Sequence, residues 1–256
     1  MSVTADHCLG FIYVISWSVS MYAPVITNWK YKSASAVSVD FVMLNIAGYM
    51  YLTCSMFLQL YAWLPAATGS GGDLMSELVT KPKVSDFDLL YTSHGFILNL
   101  ILSSQLYVPN LWRFKIEKRP HMKKNYERIL YTSLVIFSLL VMEFMYYNEN
   151  VGWNNNRTLS FCNKLFLMKI SMSLLKYLPQ VKHNYERKTL KGFSISGIFL
   201  DVIGGIASLL QLIIEINNDG DFSFIVFVTN FGKIGLGLVT LIFDFIFISQ
   251  WSIYGG

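Results

Sequence analysis

Apolar residues along the chain come in long runs separated by short polar stretches. Seven runs stand out, at Cys8–Asn28, Val39–Trp63, Phe87–Leu111, Ile129–Tyr147, Thr158–Val181, Phe193–Ile216 and Phe224–Tyr254. Each is close to or above the roughly 20 residues that a helix needs to cross a bilayer. They are too long and continuous for barrel strands, which alternate over about 10 residues. The pattern therefore predicts an all-α membrane protein with seven transmembrane helices. The last run has room for a lead-in segment before its span. The first has Asp6 rather than Lys or Arg ahead of it and no small-residue cleavage pattern, so it reads as a retained first helix and not a leader.

Composition supports this class. Of the 256 residues, 54% are apolar and 14% charged, against about 25% charged in an ordinary soluble domain. Charge placement then orients the chain. Thirteen of the 20 basic residues fall in alternate loops, the first, third and fifth. The first loop carries Lys30 and Lys32; the third runs from Arg113 to Arg128; the fifth carries Lys182, Arg187, Lys188 and Lys191. The positive-inside rule puts these loops in the cytosol, the N-terminus in a lumen or outside, and the C-terminus in the cytosol. Topology accounts for the basic loops without nucleic acid as a partner. The sequon at Asn156 falls in a loop assigned to the lumen, so Asn156 is a glycosylation candidate. Cys8, Cys54 and Cys162 lie in or beside apolar runs and form neither a disulfide framework nor a metal set.

A displacement of 156 residues aligns the first two helices with the fifth and sixth. Val25 then meets Val181, Asn28 meets Asn184, Trp29 meets Tyr185, Lys32 meets Lys188, Ser38 meets Ser194, Asn45 meets Asp201 and Gly48 meets Gly204. An even number of helices separates the copies, so both run the same way through the membrane. This predicts two parallel three-helix bundles joined by helix 4, with a site between them near the midplane. The organisation is 1–111 for the first bundle, 112–157 for a basic loop and linker helix, and 158–256 for the second bundle.

The segment Lys176-Tyr177-Leu178-Pro179-Gln180-Val181, followed by Asn184, resembles the Pro-Gln motif of PQ-loop transporters. Trp17 to Tyr22, Asn28-Trp29, Ser38 to Asn45, Leu200-Asp201 with Gly204-Gly205, Asn230 to Gly237 and Phe243-Asp244 are similar to the cystinosin family of that lysosomal and vacuolar group, and to its fungal members. In the first copy Ala23-Pro24 stands where the family has Pro-Gln, and Gly197 stands where an Asn is frequent. The resemblance implies export of cystine with protons from an acidic lumen to the cytosol. It places Trp17, Asn45, Lys169, Tyr177, Gln180, Asn184 and Lys233 around the substrate. Alternatives are a PQ-loop transporter of another amino acid or sugar, and a seven-helix cargo or sorting receptor.

The residues themselves suit that reading. Asp201 and Asp244 interrupt apolar spans, where an ionised carboxylate is costly and usually functional. Burial disfavours the ionised form, which lets such a group load a proton from an acidic lumen. Asp40 opens the second helix and is a candidate for capping, gating or proton transfer. Lys169 and Lys176 are seven residues apart, two helical turns, and so share a face. Cystine is a zwitterion with two carboxylates, two ammonium groups and an uncharged disulfide, so its site needs cations, acceptors and aromatic walls together. Snorkelling or interhelical pairing is the expectation for Lys176, and a structural hydrogen bond for His94. Pro24 and Pro179 each remove a helical hydrogen bond and are hinge candidates. No phosphate loop, metal spacing or nucleophile constellation is present, so neither enzymatic activity nor a cofactor is expected.

Overall fold

A computed structural model describes residues 3–34, 38–64, 80–114, 121–188, 195–219 and 224–254. It is all-helical over these residues. The elements are α1 (Val3–Tyr31), α2 (Val39–Tyr61), α3 (Asp86–Tyr107), α4 (Lys124–Val151), α5 (Asn155–Arg187), α6 (Ile195–Asp219), α7 (Phe224–Thr229) and α8 (Phe231–Tyr254). The long helices match the seven apolar runs. The seventh run is divided: α7 is a lead-in of six residues, and Asn230 separates it from α8.

Two boundaries differ from expectation. The third run was expected to stay helical to Leu111, but α3 stops at Tyr107 and a 3-10 turn follows at Pro109–Trp112. Pro109 has no N–H to donate and disfavours helical backbone in the residue before it. The fifth helix continues to Arg187, so Lys182 and Arg187, expected in a loop, belong to its last turns. At the other end of α3, Ser85 and Asp88 form a reciprocal capping box, which satisfies backbone donors otherwise left over at a helix start.

Five helices, α1, α2, α4, α6 and α8, are long and apolar enough to cross a membrane. The other two expected spans, α3 and α5, fall short because they carry more polar side chains. Several of these point inward: Thr92, Asn99 and Gln105 on α3, Lys169 and Ser173 on α5 are all buried. Large apolar side chains lie instead on the outer surface, as with Phe11, Ile15 and Val19 of α1 and Val135, Leu139 and Met142 of α4. This is the distribution that lipid surroundings favour.

Packing follows the internal repeat. α3 packs against both α1 and α2, and α8 packs against both α5 and α6. The two sets meet along two seams, α1 against α6 and α2 against α5. α4 lies outside, against α2 and α5, with only Leu130, Ser133 and Phe144 buried. Ser133 Oγ of α4 shares a buried hydrogen bond with Tyr51 Oη of α2 at 2.9 Å. The repeat extends to backbone detail. α1 and α5 both end on a lysine in the left-handed region, Lys32 at φ 53° and Lys188 at φ 53°. Each ammonium lies over the aromatic ring three residues back, Lys32 over Trp29 at 4.8 Å and Lys188 over Tyr185 at 3.5 Å.

Candidate functional site

Where the two seams pass the middle of the helices, the repeat-related glycines let the bundles approach. A Cβ on Gly204 of α6 would stand 2.6 Å from Trp17 Cδ1, and one on Gly48 of α2 would stand 3.0 Å from Lys169 Cδ. Each glycine thus makes room for a large side chain from the opposite bundle. Trp17 fills its space, is 5% exposed, and donates from Nε1 to the Asp201 carbonyl at 2.9 Å. Lys169, 3% exposed, places its ammonium 3.9 Å from the centre of the Tyr49 ring. Such a cation–π contact partly replaces the hydration that the buried ammonium has lost.

Polar pairs cross both seams one step further along. On the α2–α5 seam, Lys176 Nζ donates to Asn45 Oδ1 at 2.7 Å. On the α1–α6 seam, the Ser20 hydroxyl donates to the Trp17 carbonyl at 2.8 Å and neighbours the Asp201 carboxyl. Ser20 is the repeat partner of Lys176, as Asn45 is of Asp201. The two pairs therefore occupy equivalent positions of the repeat. In one copy the side chains are cation and amide; in the other they are hydroxyl and acid. Asp201 and Asp244 both act electrostatically on Lys176, which brings both carboxyl groups and this ammonium into one neighbourhood. Asp244, on α8, is 2% exposed.

Aromatic rings wall this polar centre. Trp17 and Tyr91 are 4.7 Å apart, and the hydroxyls of Tyr49 and Tyr91 share a hydrogen bond at 2.8 Å. Tyr177 stacks on Phe243 at 5.0 Å and carries α5 onto α8. The Lys176 ammonium also lies 4.6 Å from the Tyr177 ring and 4.9 Å from that of Phe41. The centre combines two cations, two acids, an amide and flat apolar faces. That set can receive the carboxylates, ammonium groups and uncharged middle of a zwitterion such as an amino acid.

Of the residues expected from the sequence, the structure brings together Trp17, Asn45, Lys169, Tyr177, Asp201 and Asp244. The side chains of Pro179, Gln180, Asn184 and Lys233 lie outside the described residues. Pro24 sits inside α1, which continues through it. Asp40 stands apart: its carboxylate accepts from the Lys123 backbone N–H at 2.9 Å and so holds the start of α4. Lys176 pairs between helices as expected, and its partner is a site residue. His94 has a structural partner in the Tyr22 hydroxyl at 3.0 Å. Asn156 is exposed in the first turn of α5. Ser20, Tyr49 and Tyr91 were missed. Ser20 could have been found from the repeat, because it aligns with Lys176. Tyr49 and Tyr91 carry no local signal among the 15 tyrosines of the chain.

Comparison with known proteins follows the same lines. The PQ loop repeat profile matches residues 7–64 and 161–221, the two segments that the displacement aligns. A Saccharomyces cerevisiae protein named "Cystine transporter" is 56% identical over 253 residues, covering 98% of this chain and 95% of that one. The "Cystinosin homolog" of Dictyostelium discoideum is 28% identical, covering 94% of this chain and 78% of its own. "Cystinosin" of Bos taurus is 29% identical over 96% of this chain, which spans 62% of the bovine protein. With this identity to the yeast protein over nearly the whole of both chains, and both repeats matched, the chain belongs to the cystinosin family of PQ-loop transporters.

Proposed function

We propose that this protein is a proton–cystine symporter that moves cystine from an acidic vacuolar or lysosomal lumen to the cytosol by alternating access. The observation that carries the reading is the Lys176–Asn45 bond across the α2–α5 seam, with Asp201, the repeat partner of Asn45, beside Ser20 on the α1–α6 seam. It is supported by the names of the yeast, slime-mould and bovine relatives. In this reading seven helices span the membrane as two parallel three-helix bundles, α1–α3 and α5, α6 and α8, linked by α4. The basic loops and the C-terminus are cytosolic, and the N-terminus and Asn156 are lumenal.

The chemistry follows from the residues. Lys169 and Lys176 receive the two carboxylates of cystine, and the faces of Trp17, Tyr49 and Tyr91 hold its disulfide. A substrate carboxylate competes with Asn45 for the Lys176 ammonium, so binding loosens the α2–α5 seam. A proton on Asp201 makes that side chain a neutral hydrogen-bonding group like Asn45, its repeat partner. Both seams can then rearrange without leaving an unpaired charge in a dry interior. Release of the proton to the cytosol restores the ionised Asp201 and biases the return. Asp244, close to the same ammonium, is a second proton-coupling group. Gln180, Asn184 and Lys233 complete the proposed substrate set, and Asp40, apart from this centre, is a gating or proton-transfer group at the start of α2. Pro24 and Pro179 serve as hinges.

The direct test is uptake of labelled cystine into vesicles holding the purified protein, with and without an inward proton gradient. Uptake that rises with the gradient and carries proton current supports symport. Cystine uptake indifferent to the gradient removes the coupling, and binding without uptake makes the protein a receptor.

A further inference from the structure

The repeat extends past the central site toward the end of α6 that the charge pattern assigns to the lumen. Asn45, Ser55 and Gln59 of α2 align with Asp201, Gln211 and Glu215 of α6. At two of these positions an amide in the first copy is the corresponding acid in the second, Asn45 against Asp201 and Gln59 against Glu215. The polar lane on α2 is closed by its own bonds. Gln59 Nε2 donates to Ser55 Oγ at 3.0 Å, Ser55 Oγ donates to the Cys162 carbonyl at 3.2 Å, and Asn45 accepts from Lys176.

The lane on α6 is built differently. Asp201, Gly204, Ser208, Gln211 and Glu215 recur at alternating spacings of three and four, which puts them on one helical face. Ser208 is 3% exposed and Gln211 is 0% exposed. Neither Oε1 nor Nε2 of Gln211 has a hydrogen-bond partner among the described residues. A buried amide of this kind is costly unless water or a neighbour satisfies it. Glu215 stands one turn from the end of α6 and interacts electrostatically with Tyr13 of α1. The Tyr13 hydroxyl in turn donates to Asp88 of α3 at 2.9 Å. Toward α7 and α8, Leu212 and Ile216 pack on Val226 and Ile234, and Thr229 and Asn230 are buried where α7 meets α8. At the inner end, Asp201 faces Ser20 and Lys176, with Asp244 beside it.

We propose that Glu215 is a lumenal proton acceptor that loads Asp201 along this stripe. The proposal rests on the symport reading above and adds to it an entry route and a second acid. The Glu215 carboxylate takes a proton from lumenal water. The proton passes through water held by Gln211 and Ser208 to the Asp201 carboxylate, and Glu215 is ionised again. The separation of fourteen positions between the two acids spans about 21 Å of helix. Ser208 lies midway and divides that distance into two shorter steps.

The test uses the full protein in sealed vesicles, with Glu215→Gln installing the side chain that the first repeat carries. Cystine–cystine exchange requires no net proton movement and reports an intact site. Glu215→Gln is expected to keep exchange near the wild-type rate while cystine-driven proton current falls about 100-fold or more, within the range for loss of a proton-transfer group. Gln211→Leu, of similar volume but without donors or acceptors, is expected to do the same. Infrared difference spectra between acid and neutral pH, taken without substrate, read the carboxyl groups independently of transport. Glu215→Gln is expected to remove one protonated-carboxyl band that Gln211→Leu leaves in place. Wild-type current in either variant overturns the route, and so does loss of exchange together with current, which makes the residue structural. Absence of exchange in the wild-type protein overturns the symport reading alone, because the infrared titration still decides whether Glu215 takes up a proton.

Discussion

The tightest seam contact provides a quantitative test. In Gly204→Ala the added methyl would lie 2.6, 2.7 and 2.8 Å from Cδ1, Nε1 and Cγ of Trp17. The indole cannot retreat freely, since it packs on Tyr91 at 4.7 Å and on Tyr13 at 5.5 Å. Overpacking of this kind costs about 1–3 kcal/mol. Displacement of the indole also strains its bond to the Asp201 carbonyl, worth about 1 kcal/mol. Gly48→Ala is the matched control. Its methyl would meet Lys169 Cδ at 3.0 Å and Nζ at 3.4 Å, part of a flexible stem that can shift. The expected result is a loss of cystine affinity of roughly 5- to 150-fold in Gly204→Ala if the overpacking cost falls on the bound state. A much smaller loss is expected in Gly48→Ala. Cystine binding to purified protein is the assay, with tryptophan fluorescence melting to confirm folding. Equal affinities for Gly204→Ala and wild type would refute the argument that these glycines set the approach of the bundles.

Other perturbations probe the site and its orientation. Lys169→Ala removes a charge-assisted contact to a substrate carboxylate, typically worth about 1.5–3 kcal/mol. An apparent KM at least about tenfold higher is expected, and an unchanged KM in a normally expressed variant assigns Lys169 to structure. Asp201→Asn keeps the shape of the side chain and should abolish proton-driven net flux while cystine binding survives, with a smaller or different effect from Asp244→Asn. Proton current and labelled flux measured together decide this, and a wild-type current in Asp201→Asn moves the coupling to Asp244. A tag after Gly256 should be cut by protease in intact organelles; protection until lysis would reverse the orientation.

Much of the architecture was legible in the chain because it depends on local or additive properties. Run length specifies a helix that can span a bilayer, and basic residues in alternate loops supply the proposed direction. The displacement of 156 residues exposed the duplication, and with it the relation of Asn45 to Asp201 and of Gly48 to Gly204. Intramembrane charge singled out Lys169, Asp201 and Asp244, because a costly residue in an apolar run marks itself. The helix ends were less legible, since the break at Asn230 and the stop before Pro109 are set by a few backbone bonds.

Tertiary structure decided which side chains meet. Nothing local in the sequence shows that Lys176 reaches Asn45, that Trp17 covers Gly204, or that Tyr49 and Tyr91 bond to each other. These facts depend on the rotation of each helix about its own axis and on its neighbour across a seam. In a soluble bundle the apolar stripe reveals that rotation, because the other face is polar. In this chain apolar residues line both the interior and the outer surface, so hydrophobicity marks the span but not its inward face. Packing of small against large residues sets the rotation instead, and only the folded pair displays it.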